Sequence, residues 1–304
     1  MADQPRIAVV GSTMIDLIAY SQVPAAGETI QGRDFQLGFG GKGANQAVMA
    51  RLLGAEVSMV NALGDDVFGE MTVANFATLG IDGTHLARVP GPSGVASIWV
   101  EPDGTNRIIC VAGANDEMDP AAAARAIAEL APLALVIGQF EIPQPVTTAA
   151  FAAARSIGAI TVLNPAPAAD MDPALLRVSD WIIPNEVEFA RLADASSEAT
   201  DEAIADFARR TGTRVVVTLG ARGAALLGRD GAVDRIPAPA VEASDTTGAG
   251  DAFVGAFAYG LARGLGELEA VRLGVRCASD SVQRPGTQRS FPRGVTLDAL
   301  PPDA

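Results

Sequence analysis

The 304-residue sequence predicts an α/β fold in three layers, a mainly parallel sheet with helices on both faces, joined to a smaller β element. Three features carry that expectation. Apolar, β-rich runs alternate along the chain with alanine-rich stretches of helical length, the order that a parallel sheet requires. The strand runs lack apolar–polar alternation, so they belong to a sheet covered on both faces. Several helical stretches stop at a glycine, which adopts the left-handed cap without strain.

The first strand is expected over residues 7–10, Ile7-Ala8-Val9-Val10. A helix over 44–53 follows a glycine-rich turn and stops at Gly54. Strand 57–63 leads to helix 69–79, closed by Gly80. The alternation continues through helix 120–130, strand 133–137, helix 145–156 with Gly158 behind it, and strands 160–163 and 181–183. Helices 186–192 and 201–211, the second closed by Gly212, precede strand 215–219; helices 252–261, with Gly264 beyond it, and 268–282 complete the series. Two segments break the pattern. Residues 17–36 and 95–111 read as paired strands, the second folded at Pro102-Asp103-Gly104 between 97–100 and 107–110. The Pro-rich end, Pro301-Pro302-Asp303-Ala304, reads as a frayed tail.

Composition sets bounds. With 49% hydrophobic residues the chain can bury a sizeable core as one large α/β domain or one domain with an elaboration. A formal charge of -14 argues against nucleic acid as a partner, and an anionic ligand must be held by local positive features. Cys110 and Cys277 give no disulfide framework, and both are expected to be small buried hydrophobes in a reduced, cytoplasmic compartment. No signal peptide or membrane span is expected. The single histidine, His85, excludes His-cluster metal sites, disfavours a Ser-His-Asp hydrolase, and is expected in a surface loop.

The most informative stretch is Asp245-Thr246-Thr247-Gly248-Ala249-Gly250-Asp251, which leads into the helical run 252–261. Unpaired backbone N–H groups at a helix start carry partial positive charge, and glycines let an anion approach them closely. A carboxylate in the same place competes with that anion unless it has work to do. Accepting a proton from a hydroxyl that attacks a phosphate is such work. An ordinary N-cap Asp behind a glycine turn is the plainer reading of the same residues.

A second anchor, Gly40-Gly41-Lys42-Gly43-Ala44-Asn45-Gln46, is again a glycine-rich turn opening a helix. With Asp16 upstream and Asp251 far downstream, the chain resembles the ribokinase-type carbohydrate kinases. Further short matches fall in the same order over nearly the whole length: Gly11 before Asp16, Gly27-Glu28-Thr29, Gly64-Asp65-Asp66, Ala112-Gly113-Ala114-Asn115, Asn164-Pro165-Ala166-Pro167, Pro184-Asn185-Glu186, Thr218-Leu219-Gly220 and Gly286-Thr287-Gln288.

The resemblance implies a ribokinase-like core of residues 1–12, 39–93 and 112–304, and a small β-sheet lid of residues 13–38 and 94–111 that covers the sugar and pairs two subunits into a homodimer. It implies transfer of the γ-phosphoryl group of ATP to the terminal 5-hydroxyl of D-ribose, or of another small sugar or nucleoside such as 2-deoxyribose, fructose or adenosine. Asp251 becomes the general base, and the backbone of Gly248, Ala249 and Gly250 the anion hole. Sugar recognition falls to Asp16, Met14, Gly40, Gly41, Lys42, Asn45 and Glu141. Asn185 and Glu188 resemble the family's phosphate and magnesium-water contacts, and ATP is expected along Thr218, Leu219, Gly220, Ala221, Arg222 and Gly223, with Val275 as an apolar wall near adenine. A potassium site is implied at Asp245, Thr247, Ser281, Arg284, Gly286 and Ser290, mostly through backbone carbonyls. Two positions depart from the bacterial pattern: Met14 replaces a common Asn, and Val275 a polar residue.

Other classes fit less well. Gly38-Phe39-Gly40-Gly41-Lys42-Gly43 satisfies the dinucleotide-binding fingerprint, but the next strand expected ends in Gly64 before Asp65 rather than in an acidic residue, and 245–251 is left unexplained. Lys42 is followed by Gly43, so there is no P-loop. A non-catalytic sugar binder would be free to lose Asp251.

Overall fold

The computed structural model describes residues 4–193 and 198–294; the tail at 301–304 lies outside them. The chain runs β1 (Arg6–Val10), β2 (Met14–Tyr20), β3 (Asp34–Gly40), α1 (Lys42–Leu52), β4 (Glu56–Gly64), α2 (Val67–Leu79) and β5 (Asp82–Val89). It continues through β6 (Val95–Val100), β7 (Asn106–Val111), α3 (Pro120–Glu129), β8 (Leu135–Gly138), α4 (Gln144–Ser156) and β9 (Ile160–Leu163). After α5 (Pro173–Arg177) come β10 (Trp181–Ile182), α6 (Glu186–Leu192), α7 (Asp201–Thr211), β11 (Arg214–Thr218), β12 (Ala224–Leu227), β13 (Val233–Ile236), α8 (Ala249–Ala262) and α9 (Glu267–Ser281).

Nine strands form the central sheet in the order β13-β12-β11-β10-β9-β8-β1-β4-β5. From β11 to β5 the pairs are parallel, whereas β11–β12 and β12–β13 are antiparallel. Alternate residues of one strand feed opposite cores, which is why these runs are apolar without a period of two. Ile7 and Val9 pack in the core under α1, α8 and α9, whereas Ala8 and Val10 pack with α3 and α4. A third cluster joins Ile182, Val215 and Val217 to α6 and α7. The sheet is therefore the middle of three layers.

Chain order reverses at β1, which has β4 on one side and β8 on the other. In open parallel sheets the crevice beyond the carboxyl ends of the strands at such a reversal is where ligands bind. The turns after β1, β8, β9, β10 and β11 all open there.

The smaller sheet has the order β3-β2-β6-β7, with β2 parallel to β6 and antiparallel pairs at both edges. Its register puts Met14, Asp16, Gly38, Gly40, Ala96 and Cys110 on one face. The opposite face carries Phe35, Leu37, Ile109 and Val111, all exposed.

Three expectations need correction. His85 lies in β5, partly buried and 4.0 Å from Glu129, not in a loop. Cys110 is exposed on β7, although Cys277 is buried as expected. Strands β5, β12 and β13 are not expected from the sequence: β5 is a mostly polar edge, Asp82-Gly83-Thr84-His85, and Ala224-Ala225-Leu226-Leu227 has helical propensity that pairing overrides. Elsewhere the boundaries move by up to four residues; β2, for example, begins at Met14 rather than 17, and β3 ends at Gly40 rather than 36.

Candidate active site

Helix α8 starts at Gly248, whose φ of 76° is left-handed, and a Cβ there would lie 2.6 Å from Thr287 Cγ2. Only glycine fits that corner. At Gly250, by contrast, a Cβ would meet nothing within 4 Å, so the space beside its backbone is open. Ala249 N–H already leans toward Thr246 O at 3.3 Å, a long contact. The open side of this turn faces a pocket lined by Lys42, Asn164, Asn185, Glu188, Thr218, Gly250 and Asp251, among others.

Asp251 sits in the first turn of α8 with 6% of its surface exposed. Its side chain does not cap the helix; it reaches α1, where Asn45 Nδ2 donates to Oδ2 at 2.8 Å and Gln46 Nε2 to Oδ1 at 3.0 Å. Burial pushes its carboxyl above the ordinary Asp range, opposed by Lys42 and by these two amides. Lys42 is also largely desolvated, which alone would lower its pKa. The carboxylates of Asp251, Glu141 and Glu188 outweigh that and hold it above the usual lysine value, so the ammonium stays charged.

Glu141 follows β8 and clamps two turns together. Its Oε2 accepts from Ser12 Oγ at 2.5 Å and from the Lys42 backbone N–H at 2.8 Å. Gly43 lets this happen, since a Cβ there would lie 2.6 Å from Ser12 N. Asp16, on β2, is 9% exposed and is raised to about 6, first by burial and then by the Glu141 charge. Gly40 pairs with Met14, and a Cβ at Gly40 would come 2.7 Å from Asp16 Oδ2. Met14, on the same face, is 6% exposed and supplies no hydrogen-bonding head. Asn115 pins the start of β2, accepting from Thr13 N–H at 3.0 Å and donating to Thr13 O at 2.9 Å.

Asn185 and Glu188 form a reciprocal capping box on α6. Both Glu188 oxygens accept from Asn185, at 2.8 Å from the backbone and 2.9 Å from Nδ2, while burial raises the Glu188 carboxyl. Both residues still line the Asp251 pocket. Of the expected nucleotide segment, Thr218 reaches that pocket. Leu219 is buried, Gly220, Ala221 and Arg222 form an exposed turn with Arg222 paired to Glu186, and Gly223 has φ 91°. Val275 is 6% exposed within the core cluster under α9 and does not line the Asp251 pocket.

The six residues of the expected cation site fall on the turn ahead of α8, the last residue of α9 and the turn after it. Asp245 accepts from Thr247 N–H and Gly286 N–H, both at 2.9 Å. Partial burial would raise its carboxyl, but these donors hold it below the ordinary value. Ser281 and Ser290 are 1% exposed, and Arg284 Nη2 donates to Ser290 O at 2.7 Å. Among the described residues no group of three or more His, Cys, Asp or Glu side chains could hold a metal ion.

Three residues at the centre escaped the functional reading of the sequence: Ser12, Gln46 and Asn164. Gln46 Nε2 also contacts Asn164 Oδ1 at 3.1 Å, and Gln139 Nε2 donates to Gln46 Oε1 at 2.7 Å. Gln46 lies inside the quoted 40–46 motif, so a signal existed; its partner did not, because Asp251 is 205 residues away.

The profile described as pfkB family carbohydrate kinase matches residues 4–293. A deoxyribokinase of Salmonella typhi is 38% identical over 293 residues, covering 94% of this chain and 95% of that protein. A ribokinase of Lactococcus lactis subsp. lactis is 40% identical over 292 residues, covering 95% and 94%. The solved structure of Arabidopsis thaliana ribokinase complexed with ribose and ATP superposes with a TM-score of 0.87 at 29% identity, covering 98% of each chain. The chain belongs to the pfkB family of carbohydrate kinases and has the ribokinase fold.

Proposed function

We propose that the protein is an ATP-dependent sugar kinase that phosphorylates the terminal 5-hydroxyl of D-ribose to give D-ribose 5-phosphate. The observation that carries this reading is the buried Asp251 carboxylate, held on both oxygens by amides beside an open glycine turn at a helix start. Asp251 accepts the proton of the attacking hydroxyl, and the backbone N–H groups of Gly248, Ala249 and Gly250 offset charge on the transferring phosphoryl oxygens. Lys42, kept protonated among three carboxylates, supplies positive charge on the other side. Asp16, Met14, Asn45 and the Gly40–Gly41 turn face the sugar. Carboxylate and amide heads suit vicinal hydroxyls, because an analogue lacking a hydroxyl leaves a buried acceptor unpaired.

ATP lies along Thr218 to Gly223, with Asn185 toward its phosphates and Val275 behind adenine. Both Glu188 oxygens are engaged by Asn185, which suits a contact to Mg2+ through water rather than direct ligation. When bound, Mg2+ supplies neutralisation of phosphate charge. The oxygen-rich turns joined by Asp245 suit a hard monovalent cation such as K+, held by Asp245 with backbone oxygens of Thr247, Ser281, Arg284, Gly286 and Ser290, which would stiffen the loop ahead of α8. The exposed Phe35, Leu37, Ile109 and Val111 face supports a lid that pairs two copies as a homodimer. No described helix is long and apolar enough to cross a membrane.

A second reading, 2-deoxyribose as the preferred sugar, is favoured by Met14 on the Asp16 face and by the similar deoxyribokinase.

Four outcomes follow. Asp251→Asn keeps the shape but not the basicity, so turnover falls ~10²-fold or more with both substrates still binding; unchanged turnover removes the base from Asp251. Asp16 accepts from a hydroxyl most strongly when ionised, so KM for the sugar rises as pH falls through about 6, and Asp16→Asn loses that pH dependence; a parallel profile in both proteins contradicts the role. Potassium activates the enzyme and Asp245→Ala abolishes the activation, whereas equal activity with and without potassium in the wild type removes the cation site. In kcat/KM measurements across ribose, 2-deoxyribose, fructose and adenosine, ribose ranks first with weak discrimination against 2-deoxyribose, and Met14→Asn sharpens it; a lead for fructose or adenosine overturns the ribose assignment but leaves the kinase mechanism standing.

A further inference from the structure

A carboxylate can only accept hydrogen bonds, and this fixes the polarity of every amide behind Asp251. Asn45 must present Nδ2 to Asp251 Oδ2, 2.8 Å away, so its Oδ1 faces outward as an acceptor. Gln288 meets that oxygen with Nε2 at 3.1 Å, which turns its own Oε1 toward Asn75 Nδ2 at 3.3 Å. The donor chain Asn75, Gln288, Asn45, Asp251 therefore runs in one direction through α2, the turn after α9, α1 and α8. On the other oxygen the same logic holds: Gln46 donates to Asp251 and accepts from Gln139, whose Oε1 is buried without a partner. An orphaned acceptor is tolerated there because the opposite flip would set two amide oxygens against each other.

Gln288 stands where the loop ahead of the catalytic helix is tied down. Two residues before it Gly286 N–H donates to Asp245, and two residues after it Ser290 O accepts from Arg284. Gln288 is 9% exposed and Asn45 5%, so water does not substitute readily for either bond.

We propose that Gln288 is a positioning residue for phosphoryl transfer: its amide holds Asn45 in the orientation that donates to Asp251, and thereby links the arrangement of the 286–290 turn to the proton-accepting carboxylate. The inference rests on Asp251 being the general base. The Asn45 amide stabilises the ionised carboxylate, so losing the Gln288 donor that holds Asn45 in place raises the pH at which Asp251 takes up a proton, and the base form disappears sooner as pH falls. The charged groups facing Asp251 are Lys42 from α1, Glu141 from the turn after β8 and Glu188 from α6. Gln288 hydrogen-bonds to none of them among the described residues, so they remain in place when it is changed.

The test is the pH profile of kcat for the full-length protein at saturating ribose and ATP. In Gln288→Met, which keeps length without a donor, the acid limb moves up by ~0.5–1 pH unit while the high-pH plateau stays within about threefold. Gln288→Glu moves the limb the same way, and Gln288→Asn, which keeps the amide one methylene back, moves it less; these two carry the comparison if the Met variant folds poorly. A purely structural role would lower the plateau and the Tm without moving the limb, and an unmoved limb overturns the proposal. Asp251→Asn run alongside separates the two failures. If it retains turnover, the general-base reading is lost; if it abolishes turnover while every Gln288 variant keeps the wild-type limb, only the role of Gln288 is lost.

Discussion

The close approach of α1 to α8 is the constraint on which the rest of the site depends. Asp251 projects from the first turn of α8, but its hydrogen-bond partners Asn45 and Gln46 belong to α1. They meet because the two helices present small residues to each other. A Cβ at Gly255 would lie 2.6 Å from Gln46 O and 2.7 Å from Met49 Cβ, while Ala44, Ala47, Ala50, Ala252 and Ala256 are all buried in the same cluster. Interhelical distance is set by the side chains at the contact, so bulk at these positions would pull the amides out of reach of the carboxylate.

Electrostatics follow from that packing. The chain carries a formal charge of -14, yet its cleft must receive a polyanion. Burial alone would lower the Lys42 pKa, and the charges of Asp251, Glu141 and Glu188 outweigh that and keep it charged. The dependence is mutual. Lys42 and the two amides offset the desolvation that raises Asp251, leaving a carboxylate more basic than an exposed Asp and still able to ionise. Asp16, farther out on the small sheet, has no cation among its causes of shift and rises to about 6. Burial thus raises Asp16, Asp251 and Glu188 alike, and Lys42 opposes the rise at Asp251 and Glu188 but not at Asp16.

The sheet supplies the common frame. Chain reversal at β1 places the turns after β1 and β8 beside each other, and Glu141 uses this to hold Ser12 and the start of α1 together. Asn164 after β9 bonds Gln46 and donates to Ile183 O beyond β10, so the same frame reaches the Asn185–Glu188 cap. Rigid strand ends fix the polar groups more precisely than long loops could.

By itself the sequence determined the layered α/β architecture, because residues buried on both faces of a parallel sheet must be apolar throughout and the helices between them stop at glycines. It also determined both glycine-rich turns and the acids of the second, Asp245 and Asp251, since an anion-accepting backbone needs glycine at set spacings whatever the fold. Strands β5, β12 and β13 were illegible: half-exposed β5 and the alanine-rich β12 carry weak local preference, and their pairing partners decide them. His85 and Cys110 were misjudged for the same reason, as neither residue type announces which edge it will occupy. Only the tertiary structure decided that Asp251 faces Asn45 and Gln46 rather than capping its own helix, and that Gln288 stands behind Asn45. Those contacts join residues more than 200 positions apart. Hydrogen-bond polarity is a property of who meets whom in space, and no periodicity along the chain records it.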